Sequence, residues 1–272
     1  MEIVTGSASI SLPPCVATIG CFDGVHRGHQ YLLEQVHNIA KAEGIASCLI
    51  TFANHPRQVL DTSFRPRLLT CLSQKIERFE QSPIEYCVLL PFTKELSLLS
   101  AREFMKVLHE EYHVQTLFVG HDHHFGHSKN EGFQEYCQYG KEFGMRVMQS
   151  KALTEDGVSV SSTLIRSCLC EGKIELANSY LGYHYYLTGT VVDGRKVGRT
   201  LGFPTANIQP LCADKLLPAL GVYAVYVYLG GKRYEGMLNI GSCPTVHDGD
   251  KSITVEVHIL CLLYTSPSPR DA

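Results

Sequence analysis

The alternation running through residues 15–150 constrains this chain most. Four short, almost continuous apolar runs, "CVATIG" (15–20), "SCLITF" (47–52), "YCVLLPF" (86–92) and "TLFVG" (116–120), are separated by segments of helical periodicity. Strands that are apolar at nearly every position are buried on both faces, as in a parallel sheet covered by helices on each side. "MRVMQ" (145–149) is a weaker fifth strand. Between them, "QYLLEQVHNIAKAEG" puts Tyr31, Leu32, Val36, Ile39 and Ala40 on one helical face and stops at Gly44, which suits a C-cap. "SAREFMKVLHEEY" opens with Ser100 and Glu103 at capping-box spacing. Strand, helix, strand repeated in this way gives a parallel α/β sheet.

The texture changes after about residue 183. "YYLTGTVV", "GVYAVYVYL" and "YEGMLNIG" are rich in β-branched and aromatic residues, and Gly230-Gly231 separates two of them as a two-residue hairpin turn. No helical pattern appears there. This part is expected to be a small antiparallel barrel or sandwich, with the boundary near "SYLGYHYY".

Several function classes fall away on composition. A net charge of -3 over 272 residues leaves no basic footprint for nucleic acid. No apolar run approaches the roughly 18 residues of a membrane span. The opening "MEIVTGSASISLPP" has neither the basic start nor the apolar middle of a signal peptide, so a cytoplasmic location is expected. The 11 cysteines form no C-x-x-C pair, and Cys48 and Cys87 lie inside apolar strand runs. They read as reduced core thiols.

Chemistry concentrates in "GCFDGVHRGH", residues 20–29. Gly20, Gly24 and Gly28 allow a tight turn and close backbone approach to a ligand, and the following helix offers free N–H groups to an anion. His26 and His29 add side-chain donors at the same point. The turn lacks G-x-x-x-x-G-K-[ST] and G-x-G-x-x-G, so neither a P-loop nor a Rossmann dinucleotide site is expected. It is expected to be exposed. "SVSSTLIRS" (159–167) supplies a second phosphate-type element: Ser161, Ser162 and Thr163 open a short helix and Arg166 presents a fork one turn later. Two further loops follow strands, where ligands of open α/β sheets bind. One carries Phe52, His55 and Pro56, a flat apolar surface with a polar tip. The other is "VGHDHHFGHSKNEGF", whose contiguous histidines lack the spacing that converges on a metal.

The H-x-G-H turn resembles the signature of the nucleotidylyltransferase superfamily, and "SSTLIR" resembles that superfamily's I-S-S-T-x-I-R motif. In this order, "GCFDGVHRGHQYLLEQV", "TFANHPRQVL", "VGHDHHFG" and "VSSTLIR" are similar to the adenylyltransferase half of bacterial bifunctional riboflavin kinase/FMN adenylyltransferases. "GRTLGFPTANI" (198–208), "GVYAVYV", "GMLNIGSCPTV" and "TVEVHIL" resemble the riboflavin kinase half. The resemblance implies a Rossmann-like nucleotidylyltransferase domain at 1–183 followed by a riboflavin kinase β-barrel at 184–260. It implies ATP binding by Gly20, Phe22, Asp23, Gly24, His26, His29, Asp122, Ser162, Thr163 and Arg166, with His26, His29 and Arg166 catalytic. Phe52, His55, Pro56 and Phe125 would contact flavin. In the kinase half, Thr205 and Asn207 would hold Mg²⁺ and the ATP phosphates, and Glu256 would take the proton from the riboflavin 5′-hydroxyl. The implied substrates are riboflavin, FMN and ATP, with FAD as product, Mg²⁺ as cofactor, and no nucleic-acid or membrane partner; self-association stays open.

Two departures stand out. Asp122 occupies a position where relatives often carry asparagine, and its charge beside a triphosphate needs Mg²⁺ or a histidine to offset it. The tail "CLLYTSPSPRDA" (261–272) is Ser/Pro-rich where relatives continue with more strands and a helix. A kinase domain cut short there, with its step impaired while FMN adenylylation persists, is the expectation. A nucleotidylyltransferase for pantetheine phosphate or nicotinamide mononucleotide is the rival enzyme, against which "GFPTANI" argues. A non-catalytic flavin-binding protein is the other rival, against which the intact His26, His29, Ser162, Thr163 and Arg166 argue.

Overall fold

The computed structural model describes residues 1–5, 12–121, 124–127, 131–155, 157–193, 204–244 and 251–260. Asp122, residues 198–203 of "GRTLGFPTANI" and the 261–272 tail lie outside the described residues. The chain divides into two compact units, Met1–Ile165 with Asn178–Tyr183, and Arg166–Ala177 with His184–Ala272.

The first unit is built on a six-stranded sheet. Its elements in chain order are β1 (Glu2–Thr5), β2 (Cys15–Gly20), α1 (Arg27–Glu43), β3 (Ala46–Phe52), α2 (Pro56–Leu60), α3 (Leu72–Glu80) and β4 (Tyr86–Leu90). There follow α4 (Lys94–Leu98), α5 (Ala101–Glu110), β5 (Val114–Val119), α6 (Phe133–Phe143), β6 (Arg146–Gln149) and a small β7–β8 pair at Thr154–Glu155 and Val158–Ser159. Helices α7 (Ser162–Cys170) and α8 (Ile174–Leu181) then run from one unit to the other and back.

Every pairing in the large sheet is parallel, and the strand order is β1-β4-β3-β2-β5-β6. The continuous apolar runs are explained by two cores. Cys15, Ala17 and Ile19 of β2 join Cys48, Ile50, Val88 and Leu90 against Phe104, Met105 and Leu108 of α5 and Tyr136 of α6. Val16, Leu49, Cys87 and Leu89 point to the other face, against Leu32, Leu33, Val36 and Ala40 of α1 and Phe79 of α3. Burying Leu33 alone contributes about 2 kcal/mol. From β2 the chain winds through β3 and β4 on one side, then crosses to β5 and β6 on the other. The switch point therefore lies beyond the carboxyl ends of β2 and β5, where ligands of such sheets bind.

The second unit carries β9 (Gly189–Val192), β10 (Ala206–Pro210), β11 (Gly221–Leu229), β12 (Lys232–Pro244) and β13 (Lys251–Ile259). They form an antiparallel, barrel-like five-stranded sheet in the order β11-β12-β13-β10-β9. Gly230 and Gly231, at φ 55° and 75°, close the β11–β12 hairpin with Leu229 paired to Lys232. Positive φ at both central residues is the primed turn that suits strand twist. Ile240, Val255, Val257 and Ile259 are buried in this unit.

Candidate active site

The turn between β2 and α1 stands at the switch point. Phe22, Gly24 and Val25 all have positive φ (49°, 83° and 36°), an unusual run for one phenylalanine and one valine. Such strain persists only where the surroundings fix it. Here the Asp23 carboxylate accepts the backbone N–H groups of Leu69 and Thr70 at 2.9 to 3.0 Å, and the Thr70 hydroxyl accepts from Gly24 N–H at 2.9 Å. Gln30 donates to Val25 O at 2.8 Å and to Leu181 O at 3.0 Å, and the Tyr183 hydroxyl donates to Gly24 O at 2.7 Å. A Cβ on Gly24 would come within 2.8 Å of the Leu69 side chain, so both space and φ require glycine.

The expected exposure of this turn is corrected by the structure: Phe22 to Val25 and His26 are buried, because Asp23 folds inward onto residues 69–70. His26 caps α1, its Nδ1 accepting from His29 N–H at 3.3 Å. A ring nitrogen that accepts cannot carry the proton, so neutral His26 is protonated at Nε2. The His26 and His29 rings stack with centroids 3.6 Å apart, and Phe22 lies edge-on to His29 at 5.1 Å. Gly28 leaves room for this stack, since a Cβ there would sit 3.1 Å from the His26 ring.

The second phosphate element reaches the first. Ser162, at the start of α7, donates its hydroxyl to Asp23 O at 2.8 Å. Thr163 is exposed beside it, and half-buried Arg166 follows one turn along the same helix. Residues separated by 139 positions in the chain thus meet at the histidine turn.

Next to the turn opens a cleft whose lining includes Phe52, His55, Pro56, Asp23, Thr70 and Lys75. His55 caps α2 through Nδ1, which accepts from Arg57 N–H at 3.2 Å, and its ring lies against Phe64 at 5.5 Å. Phe52 meets Phe92 edge-on at 5.1 Å. Phe125 is placed differently: it stacks on Tyr136 at 4.2 Å, and the Tyr136 hydroxyl bonds both its N–H and its carbonyl at 3.2 Å. Among the described residues no group of three or more His, Cys, Asp or Glu is arranged to hold a metal.

In the second unit three residues singled out in the sequence converge. Asn207 of β10 pairs directly with Glu256 of β13, so both side chains stand on one face of the sheet. The Thr205 hydroxyl donates to Glu256 Oε2 at 3.3 Å. His258 Nδ1 lies 2.8 Å from Pro204 O and ties the loop to the same strand. Asn239 of β12 flanks Glu256 on the other side, and sequence reasoning passed it over. So were Thr70, Gln30, Tyr183 and Lys75 in the first unit. For Lys75 a signal existed: it precedes the buried Phe79 by four residues in "LSQKIERFE" and so shares the inner face of α3.

The FAD synthetase family model matches residues 9–164 and the riboflavin kinase model matches residues 181–266. The bifunctional riboflavin kinase/FMN adenylyltransferase of Escherichia coli K12 is 35% identical over 96% of this chain and 83% of its own length. That of Listeria monocytogenes is 37% identical over 90% of this chain and 77% of its own. A crystal structure from Streptococcus pneumoniae, described as that of a macrolide-efflux protein, superposes with a TM-score of 0.86 at 26% identity, covering 97% of this chain and 86% of that one. No helix among the described residues is long and apolar enough to cross a membrane. With two family models in tandem and identities of this size over nearly its whole length, the chain belongs to the bifunctional riboflavin kinase/FMN adenylyltransferase family.

Proposed function

We propose that this chain phosphorylates riboflavin with ATP to give FMN in its C-terminal part, and joins FMN to AMP in its N-terminal part, giving FAD and pyrophosphate. The observation that carries the adenylyl-transfer assignment is the bond from Ser162 to Asp23 O, which brings α7 onto the stacked His26–His29 pair. The starts of α1 and α7 are thereby joined at one turn, and a triphosphate bound there would be stabilised by N–H groups and helix dipoles. In the transfer, a phosphate oxygen of FMN attacks the α-phosphorus of ATP. The bond from that phosphorus to the bridging oxygen breaks, and pyrophosphate leaves. His26, with its proton on Nε2, and His29 stabilise the charge that grows on the phosphates, and Arg166 grips the leaving group. Asp23 contributes by fixing the turn, its carboxylate being engaged by Leu69 and Thr70. Gly20, Phe22 and Gly24 shape the same backbone, and Ser162 and Thr163 close over the triphosphate. Positioning and charge stabilisation suffice for such a step, without a protein nucleophile.

The Phe52–His55–Pro56 wall of the cleft receives the flavin ring. Phe125, stacked on Tyr136 in the segment after β5, would also contact the flavin. In the kinase part Glu256 removes the proton from the 5′-hydroxyl, with Thr205 bonded to it. Thr205 and Asn207 offer neutral oxygens to Mg²⁺, a hard cation that takes few protein ligands beside the phosphates. Their convergence with Glu256 makes a donor set that fits. When bound, Mg²⁺ would neutralise phosphate charge. A domain division at 183/184 follows the change of sequence texture there. Free thiols at Cys15, Cys48, Cys87 and Cys168 agree with a reducing cytoplasm, and no nucleic acid or membrane partner is assigned. Presenting the chain with ATP, Mg²⁺ and, in turn, FMN, pantetheine phosphate and nicotinamide mononucleotide tests the acceptor. FAD as the dominant product supports the assignment; preferential adenylylation of another acceptor overturns it.

A further inference from the structure

Lys75 lines the cleft with a charged side chain that the mechanism above leaves without a task. It lies on α3 and is buried, with 8% of its surface exposed. Its ammonium donates to Cys21 O at 3.2 Å, to Thr51 Oγ1 at 3.2 Å and to Phe52 O at 3.0 Å. These acceptors sit at the ends of β2 and β3. No carboxylate among the described residues is within ion-pair distance; all three partners are neutral oxygens. Burial pushes the Lys75 ammonium below the usual lysine range, while Cys21, Asp23 and Cys87 pull the other way. A buried cation without a paired anion is costly, and the first turn of a helix adds an unfavourable dipole. An apolar residue would fill this position at lower cost, so a role for the charge is indicated.

The position supplies that role. Lys75 bridges the start of the histidine turn, at Cys21, to the start of the flavin wall, at Phe52, and both Lys75 and Asp23 line the cleft. A flavin ring on that wall and a triphosphate on that turn would put the acceptor phosphate between them. There it must approach a second polyanion. We propose that Lys75 is a specificity-determining residue for the acceptor, its ammonium attracting the phosphate monoester of the flavin nucleotide and holding it beside the ATP phosphates. This rests on the adenylyl-transfer assignment above.

Lys75→Gln keeps two N–H donors for the strand-end carbonyls but removes the charge, and Lys75→Met removes both. Steady-state FAD formation is measured for each, with FMN and ATP varied in turn, alongside a thermal melt. The expected result for Lys75→Gln is a KM for FMN raised about tenfold or more, with the KM for ATP within about twofold of wild type. Equal changes in both KM values, or wild-type values for both, would overturn the proposal. So would failure of both variants to fold, which would make Lys75 a fold determinant only. The two hypotheses separate cleanly: no FAD from the wild-type chain sinks the adenylyl-transfer assignment, whereas an active wild type with an unaltered Lys75→Gln sinks this one alone.

Discussion

His26 has two tasks within its own turn: its Nδ1 caps α1 and its ring supports His29 by stacking. Replacing it would disturb the helix start as well as the chemistry. His29 is the cleaner probe, being only half-buried and taking part in the cap through its backbone N–H alone. His29→Ala is expected to lower FAD formation by about 10²–10³-fold, the usual loss of one transition-state donor. Circular dichroism should be unchanged, and a rate near wild type would remove His29 from the mechanism. The two histidines and Ser162 were legible because glycine spacing and hydroxyl-rich helix starts are local signals. Asp23's attachment to Leu69 and Thr70, 46 and 47 positions away, has no local signal, and with it went the burial of the turn. Lys75 was passed over although it shares the inner face of α3 with Phe79, because a lysine in a helix is normally solvated.

At the scale of elements, hydrophobic continuity located β2 as residues 15–20 and the other central strands within a residue or two, since burial on both faces leaves few polar positions. The four-residue β1 escaped because it is an edge strand, pairing only with β4, and its burial pattern is mostly exposed. The cysteines inside these strands carry a consequence for pH. Burial pushes the Cys87 thiol up to about 11 from an ordinary 9.0, with the Lys75 charge opposing. Below pH 9 both folded and unfolded chains hold this proton. Between about 9 and 11 the unfolded chain releases it and the folded chain does not, so stability falls as pH rises. The loss should reach about 2–3 kcal/mol. Urea unfolding of wild type and Cys87→Ala across pH 8 to 11 checks this: the wild type should lose more stability than the variant over that interval, and parallel curves would contradict it.

For the whole molecule, the separation of two chemistries into two units is the property to test. Thr205, Asn207 and Glu256 meet within the antiparallel sheet, whereas His26, His29 and Ser162 meet at the parallel one. Glu256→Gln should therefore abolish whatever conversion of riboflavin to FMN the chain carries, while FAD formation from supplied FMN stays within about twofold of wild type. Loss of both steps would mean that the sites are not independent. The most direct measurement follows the α-phosphate itself: the wild-type chain is incubated with FMN, Mg²⁺ and ATP labelled at the α-phosphorus, then quenched and resolved into nucleotide and protein fractions. Direct attack by FMN predicts that the label passes into FAD, with unlabelled pyrophosphate released in equal amount and no label on the protein. Label held covalently on the protein, or none in FAD while ATP is consumed, would contradict it.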